Sequence, residues 1–294
     1  MKLSEKDGGI LLTEQDSFNI EQILECGQCF RFEKTGEGHY KIIAKNKVLY
    51  IKQEGNEILF YPCSKNDFEN IWYDYFDLGT DYSEIKSVLS KDSVLKEAAA
   101  FGEGIRLLNQ DPFECLISFI ISQNNRIPMI QKVIGNISAR WGEKAGEDYF
   151  FPSLDSLKTS NCESLMECKT GFRHKYITDC LEKLSKGEIS LETVKNMDTA
   201  RAKEELMKIK GVGTKVADCF LLFSFGRREV FPTDVWIKRV MEYFYFDGKE
   251  TPIKDIHALA AHKWGKYAGF AQQYLFYYAR TLQINAGNSK RKRK

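Results

Sequence analysis

The 294-residue chain has no window approaching eighteen uninterrupted apolar residues, and its start, Met1-Lys2-Leu3-Ser4-Glu5-Lys6-Asp7, has no apolar signal core. A membrane span and a secretory leader are not expected on that reading, and the chain reads as soluble and intracellular. Histidine is scarce, with four residues at positions 39, 174, 257 and 262. No internal repeat is evident, and only the tail Lys290-Arg291-Lys292-Arg293-Lys294 is of low complexity. Eight cysteines are scattered, and the CxxC pair Cys26-Gly27-Gln28-Cys29 has no second pair to accompany it. Scatter without a leader favours free thiols in a reducing compartment. A tetrahedral zinc site needs four ligands, and the histidines form no ligand spacing with this pair, so no metal is expected.

A chain of this length can bury a sizeable core in two or three packed subdomains. The net charge of +2 conceals an uneven distribution. Residues 1 to 200 carry 24 basic and 32 acidic groups, net −8, and residues 201 to 294 carry 19 and 9, net +10. The C-terminal part therefore suits an anionic partner, although five of its positive charges belong to the tail, which reads as solvated.

From Phe30 to Tyr61 apolar and polar residues alternate, as in His39-Tyr40-Lys41-Ile42-Ile43 and Lys47-Val48-Leu49-Tyr50-Ile51-Lys52, and Gly55-Asn56 offers a turn. An antiparallel sheet of several strands is predicted there. Beyond about residue 66 the spacing becomes helical, so the chain is read as α+β and dominated by helices. Asp111-Pro112-Phe113-Glu114 has an N-cap acid, proline at the first helical position and glutamate at the capping-box position, ahead of an apolar stretch ending at Ser122-Gln123-Asn124-Asn125. Further helices are predicted over Ile127 to Trp141, from Phe151-Pro152-Ser153 onward, and over about His174 to Ser185 after a break at 169–173. The predicted division is an N-terminal antiparallel sheet domain with helices (1–108), a helical subdomain (109–198), a helix-hairpin-helix catalytic subdomain with a closing helix (199–286) and a basic tail (287–294).

The most informative stretch is Ile209-Lys210-Gly211-Val212-Gly213-Thr214-Lys215-Val216-Ala217-Asp218, followed by Phe231-Pro232-Thr233-Asp234-Val235. Gly211 and Gly213 are expected to take the positive φ angles and close approach that a tight hairpin needs, and the free N–H groups there can hold a phosphate. Lys215 begins the next helix, where the positive end of the dipole disfavours an ammonium and makes the amine a candidate nucleophile. Asp234 precedes another apolar helical stretch and is expected to cap it with one carboxylate oxygen left free. Taken alone, these ten residues are also compatible with a solvated lysine after an ordinary turn.

The full pattern resembles the helix-hairpin-helix base-excision DNA glycosylases, with Phe231-Pro232-Thr233-Asp234 where their signature reads Gly-Pro-Asp. Adding Cys26-Gly27-Gln28-Cys29-Phe30-Arg31-Phe32, Gly104-Ile105-Arg106-Leu107-Leu108-Asn109-Gln110-Asp111-Pro112, Ser122-Gln123-Asn124-Asn125 and Trp264-Gly265-Lys266-Tyr267-Ala268-Gly269-Phe270-Ala271-Gln272, the chain resembles the 8-oxoguanine DNA glycosylase family over almost its whole length. The resemblance implies that the Gly27 carbonyl accepts the N7 hydrogen that oxidised guanine has and guanine lacks. It implies that Gln272 reads the Watson-Crick edge of the extruded base, and that Cys219 and Phe276 stack on its faces. Asn124 would fill the vacated stack beside the orphaned cytosine, with Phe172 as wedge and Arg173 as a second cytosine reader. Lys215 would attack C1′ and Asp234 would stabilise the charge developing on the sugar.

Two departures stand out. Met129 replaces the arginine that the family places five residues after the asparagine, and it can neither form a bidentate contact nor reject a wrong base by charge, so weak preference for cytosine opposite the lesion is expected. Trp236 stands where animal members carry a phosphate-contacting histidine, leaving Gly211, Gly213 and the Trp236 indole N–H as the expected phosphate contacts. No redox cofactor is implied, although hairpins of this type can hold a monovalent cation on backbone carbonyls. The expected partner is duplex DNA containing 8-oxoguanine, bound by a monomer without a membrane, in the cytoplasm of a bacterium or the nucleus of a eukaryote. The endonuclease III branch is disfavoured because no cysteine follows Cys219, and the alkylpurine branch because it lacks the lysine. A silent DNA-binding hairpin is disfavoured by the presence of both Lys215 and Asp234.

Overall fold

The computed structural model describes residues 1–283. The tail 287–294 and the end of the predicted closing helix lie outside the described residues. A six-stranded antiparallel sheet occupies the N-terminal part, built from β1 (Lys2–Lys6), β2 (Gly9–Thr13), β3 (Phe32–Gly36), β4 (His39–Ala44), β5 (Lys47–Glu54) and β6 (Glu57–Tyr61) in the order β1-β2-β6-β5-β4-β3. Period-2 alternation puts Tyr40, Ile42 and Ala44 of β4 on the inner face, opposite Leu49 and Ile51 of β5 through the pairs Ile42↔Leu49 and Tyr40↔Ile51. The strands predicted within Phe30 to Tyr61 are present, and β1 and β2 extend the sheet beyond them. The polar strand β1 is exposed along its whole length and pairs in the sheet with β2 alone, with ion pairs from Lys2 to Glu14 and from Lys6 to Glu57, so burial periodicity could not reveal it.

Eleven helices carry the argument from here: α1 (Ile20–Glu25), α2 (Tyr82–Leu89), α3 (Ser93–Phe101), α4 (Pro112–Ser122), α5 (Ile127–Trp141), α6 (His174–Ser185), α7 (Thr199–Leu206), α8 (Thr214–Ser224), α9 (Val235–Tyr245), α10 (Ile253–Trp264) and α11 (Ala268–Thr281). None of the described helices is long and apolar enough to cross a membrane. The residues form two cores. The inner face of the sheet packs on α1 and on Phe68, Trp72 and Phe76, whereas the larger core joins α4, α8 and α11 with most of the other helices. Tyr82, Ile85 and Leu89 of α2 and Leu95 and Ala98 of α3 belong to this larger core, so the predicted division near residue 108 cuts through it. The same core runs on through Val194, Ala202 and Leu206 without a break near 198.

The start of α4 is capped as predicted, with Asp111 Oδ1 accepting from the Glu114 N–H at 3.0 Å. Glu114 does not complete the reciprocal half of a capping box, because its carboxylate faces Arg31 at 3.6 Å. Burial pushes that carboxyl up to about 7.

Arg106 joins the two cores. Its side chain is fully buried, stacks 4.1 Å over the Tyr82 ring, and donates to the carbonyls of Asp16, Ser17, Phe76, Asp77 and Thr80. The planar guanidinium gathers five carbonyls, of which those of Ser17, Phe76 and Thr80 have no other protein donor among the described residues. Arg106→Met should therefore cost at least about 3 kcal/mol, since several acceptors are stranded at about 1–3 kcal/mol each. Urea unfolding would read this as a large fall in the midpoint, whereas an unchanged midpoint would show that water replaces the guanidinium.

Candidate active site

The hairpin between α7 and α8 forms as predicted, but its two glycines do different work. Gly211 has φ +80, and a Cβ there would stand 2.3 Å from the Tyr176 ring. Gly213 has φ −99 and ψ −177 and is the N-cap of α8, with open space where a Cβ would point. The expectation of positive φ thus holds for Gly211 and is corrected for Gly213, whose missing side chain instead leaves the helix N-terminus bare. No side chain caps that end, so the first N–H groups of α8 lie open to an external acceptor.

The turn is tied to the protein from behind. Asp179 on α6 accepts from Lys210 N and from Lys183 Nζ, each at 2.7 Å, and Lys183 also donates to Lys208 O at 2.9 Å. Burial alone would raise the Asp179 carboxyl, but these two donors outweigh it and hold it below the usual range. The helices are pinned to each other by Lys203 of α7 and the fully buried Asp218 of α8, 2.6 Å apart.

Lys215 sits in the first turn of α8 with Nζ 3.4 Å from Ser122 Oγ and 5.3 Å from the Phe119 ring centre. Asp234 caps α9 as expected, Oδ1 accepting from Ile237 N at 2.7 Å while Oδ2 makes no protein hydrogen bond among the described residues. The loop before it is fixed by Thr233, whose Oγ1 donates to Phe231 O and lies 3.0 Å from His257 Nε2. Lys215 and Asp234 line one cavity together with Gly27, Cys219, Gln272 and Phe276. The six predicted residues come from four separate stretches of chain, and the fold brings them all together.

The wall formed by Glu25 to Gln28 has an unusual hydrogen-bond pattern. Arg280 Nη2 donates to Glu25 O at 2.8 Å, Gln273 Nε2 to Cys26 O at 2.8 Å and Gln110 Nε2 to Gln28 O at 2.7 Å. The carbonyl of Gly27 receives no protein donor among the described residues. Gln28 is itself fully buried, donating to Ile23 O and Arg106 O and accepting from Leu108 N. Gln272, 6% exposed, has an unpartnered Oε1. A buried acceptor without a donor costs about 1–3 kcal/mol, so this cavity is built for a ligand that donates. Its volume is about 60 Å³. Of its aromatic lining residues, Phe119 and Phe223 are buried and Phe276 is half-buried.

Burial pushes the Cys219 thiol up to about 11, against a smaller opposing effect of Lys215. It is a neutral surface at physiological pH. Cys26 and Cys29 point inward, and burial raises both thiols as well. Among the described residues no group of three or more His, Cys, Asp or Glu is placed to hold a metal.

Asn124, exposed and with φ +48, follows directly after the Lys215 neighbour Ser122 and Gln123. Arg173 is buried and holds this loop, donating from Nε to Gln123 O at 2.8 Å, from Nη2 to Asn124 O at 2.8 Å and from Nη1 to Thr170 O at 3.3 Å. Most of its donors are thus committed to backbone in the free protein. Phe172 is 48% exposed and lies edge-on to Tyr176, ring centres 5.8 Å apart. Tyr176, which sequence reasoning missed, therefore links the exposed aromatic to Gly211. Met129 is exposed in the first turn of α5. Trp236 corrects an expectation, because its Nε1 is enclosed and without a partner and so is not presented to a phosphate in the free protein.

Residues 117–266 match the HhH-GPD superfamily of base excision DNA repair proteins, to which the chain belongs. Residues 10–116 match the N-terminal domain of 8-oxoguanine DNA glycosylase, which places the chain in that branch. It is 32% identical over 278 residues to the N-glycosylase/DNA lyase OGG1 of Arabidopsis thaliana, covering 85% of this chain and 74% of the relative. It is 33% identical over 229 residues to a probable N-glycosylase/DNA lyase of Methanothermobacter thermautotrophicus, covering 70% and 72%. The fold is similar, at TM-score 0.94 and 43% identity, to the Clostridium acetobutylicum 8-oxoguanine glycosylase/lyase in complex with double-stranded DNA containing cytosine opposite 8-oxoguanine, covering 97% and 99% of the two chains.

The two hairpin glycines should respond oppositely to alanine. Gly211→Ala meets both a forbidden φ and the Tyr176 ring and should lower the melting temperature by several degrees, the scale of a loss above 1 kcal/mol. Gly213→Ala should melt like the parent and bind duplex DNA more weakly, as read by fluorescence anisotropy. Equal melting temperatures for the two variants would contradict this division of roles.

Proposed function

We propose that this chain excises 8-oxoguanine from duplex DNA and then cuts the strand, with Lys215 as the nucleophile of both steps. The observation that carries the reading is the convergence of a lysine amine, a capping aspartate with one free oxygen, and the unpaired Gly27 and Gln272 acceptors on one cavity. C1′ of a paired nucleotide is inaccessible within the duplex, so the damaged nucleotide is extruded at a cost of a few kcal/mol. Insertion of Phe172 and Asn124 into the vacated space offsets that cost.

The neutral amine of Lys215 bonds to C1′ as the C1′–N9 bond breaks, and the bonding pair leaves with the base, which is then protonated. Asp234 stabilises the positive charge on the sugar and assists proton transfer. Sugar ring opening gives a Schiff base, and removal of a C2′ proton expels the 3′ phosphate by beta elimination. Gly27 accepts the N7–H of the lesion, Gln272 reads its Watson-Crick edge, and Cys219 and Phe276 pack its faces. Undamaged guanine would set its N7 lone pair against the Gly27 lone pair, a mismatch costly in a desolvated site.

Gly211, Gly213 and the bare start of α8 hold a phosphate of the same strand. No redox cofactor takes part, and a monovalent cation on hairpin carbonyls is compatible with this phosphate grip. Arg173 shapes the Asn124 loop and keeps one guanidinium hydrogen for the opposite base. With Met129 in place of a second cation, preference for opposite cytosine is weak. The chain acts as a monomer on DNA, wherever the cell keeps its genome.

Borohydride should trap a covalent complex between this protein and an 8-oxoguanine duplex, and Lys215→Gln should abolish it. Asp234→Asn should bind the duplex and lose at least about 100-fold in excision, the scale of one electrostatic catalytic group. Excision opposite each of the four bases should vary by less than about tenfold. An adduct on the Lys215→Gln protein would overturn the assignment, and strong C over A discrimination would overturn the role given to Met129.

A further inference from the structure

Of the three side chains that secure the Glu25 to Gln28 carbonyls, Arg280 is the one cation and the one with a buried nitrogen that has no partner among the described residues. Its Nη2 is bonded to Glu25 O at 2.8 Å, whereas Nη1 is buried with no partner among the described residues. A side chain at Gly27 would stand 3.1 Å from that Nη1 and 3.1 Å from Cε1 of Phe276. The Arg280 guanidinium carbon lies 5.8 Å from the Phe276 ring centre. Arg280 therefore stands, outside the lining of the cavity, beside both the residue with the free carbonyl and the half-buried aromatic Phe276. It is one helical turn beyond Phe276 and two beyond Gln272–Gln273, so α11 presents all of them along one side.

We infer that Arg280 is a positioning residue for lesion recognition, holding the Gly27 carbonyl and the Phe276 ring in the relation that an extruded 8-oxoguanine requires. The inference rests on the reading of Gly27 and Phe276 given above. A fork-shaped guanidinium suits the task because one amino group can anchor Glu25 while the other packs against Gly27. An unpaired buried N–H is costly, and its retention beside a ligand cavity is the kind of local rule-breaking found at functional sites. Without Arg280, the Glu25 carbonyl loses its donor and the Gly27 backbone is free to turn, which blurs the acceptor direction that separates 8-oxoguanine from guanine.

The test uses full-length protein and two single-turnover rates: 8-oxoguanine excision from a duplex, and strand cleavage at a preformed abasic site, which needs no base reading. Arg280→Met should lower the ratio of the first rate to the second about tenfold, the scale of one hydrogen bond from a charged donor. Arg280→Lys, which keeps the charge and one reachable donor, should fall between, and it carries the test if the Met variant does not fold. An unchanged ratio in a folded variant overturns the inference, as does an equal fall in both rates, which would mark a general structural role. Parent protein that excises guanine as readily as 8-oxoguanine would instead refute the underlying reading of Gly27.

Discussion

A carbonyl oxygen kept without a protein donor is the constraint on which the rest of this molecule depends. In the segment from Glu25 to Gln28, three carbonyls are claimed by Arg280, Gln273 and Gln110, and the Gly27 carbonyl has no protein donor among the described residues. Such selectivity needs rigidity, because a backbone free to turn would find another donor within a rotation or two. Rigidity comes from the fully buried Gln28 and from Arg106, whose backbone carbonyl receives Gln28 while its side chain joins the sheet core to the helical core. The stretch from Arg106 to Gln110 is thus a common support for the N-terminal sheet and for the Glu25 to Gln28 wall of the cavity.

The chemical half of the site is organised from the opposite side. The hairpin is anchored through Asp179 and Lys183, its helices through Lys203 and Asp218, and the loop before Asp234 through Thr233 and His257. These contacts deliver an amine and a carboxylate to the cavity, where the only protein hydrogen bonds of the two groups among the described residues are the capping bond of Asp234 and the 3.4 Å contact of Lys215 with Ser122 Oγ. A packing chain runs from Gly211 through Tyr176 to the exposed Phe172. The hairpin and the exposed aromatic are therefore coupled through neighbouring side chains of one helix, α6, and the short turn before it.

Local pattern predicted local structure well. The helices over 127–141 and 174–185, the Asp111 and Asp234 caps and the sheet from β3 to β6 follow from periodicity and capping chemistry that lie within a few residues of one another. The strand β1 escaped notice because its role is a ladder, and a polar strand leaves no hydrophobic trace. Gly213 was misjudged because two glycines in a turn read alike, whereas only the tertiary packing of Tyr176 distinguishes them. Gln273 and Arg280 act on residues 247 and 255 positions away in sequence. No spacing rule reaches that far, so the clamp on the Gly27 wall was invisible even though the glycine itself carried a family resemblance. Trp236 shows the complementary limit, since a residue type capable of donating gives no information on whether its donor faces outward.

The central claim is that the lesion is recognised by donation from N7 to Gly27. The most direct measurement compares binding of the Lys215→Gln protein to three matched duplexes containing guanine, 8-oxoguanine or 8-methoxyguanine opposite cytosine. The methoxy base keeps an oxygen on C8 but presents N7 as an acceptor. If the Gly27 carbonyl selects the N7 hydrogen, 8-methoxyguanine should bind like guanine, and 8-oxoguanine alone should bind tightly. Equal affinity for the methoxy and oxo bases would mean that the C8 oxygen is what the protein reads, and would contradict the role assigned to Gly27.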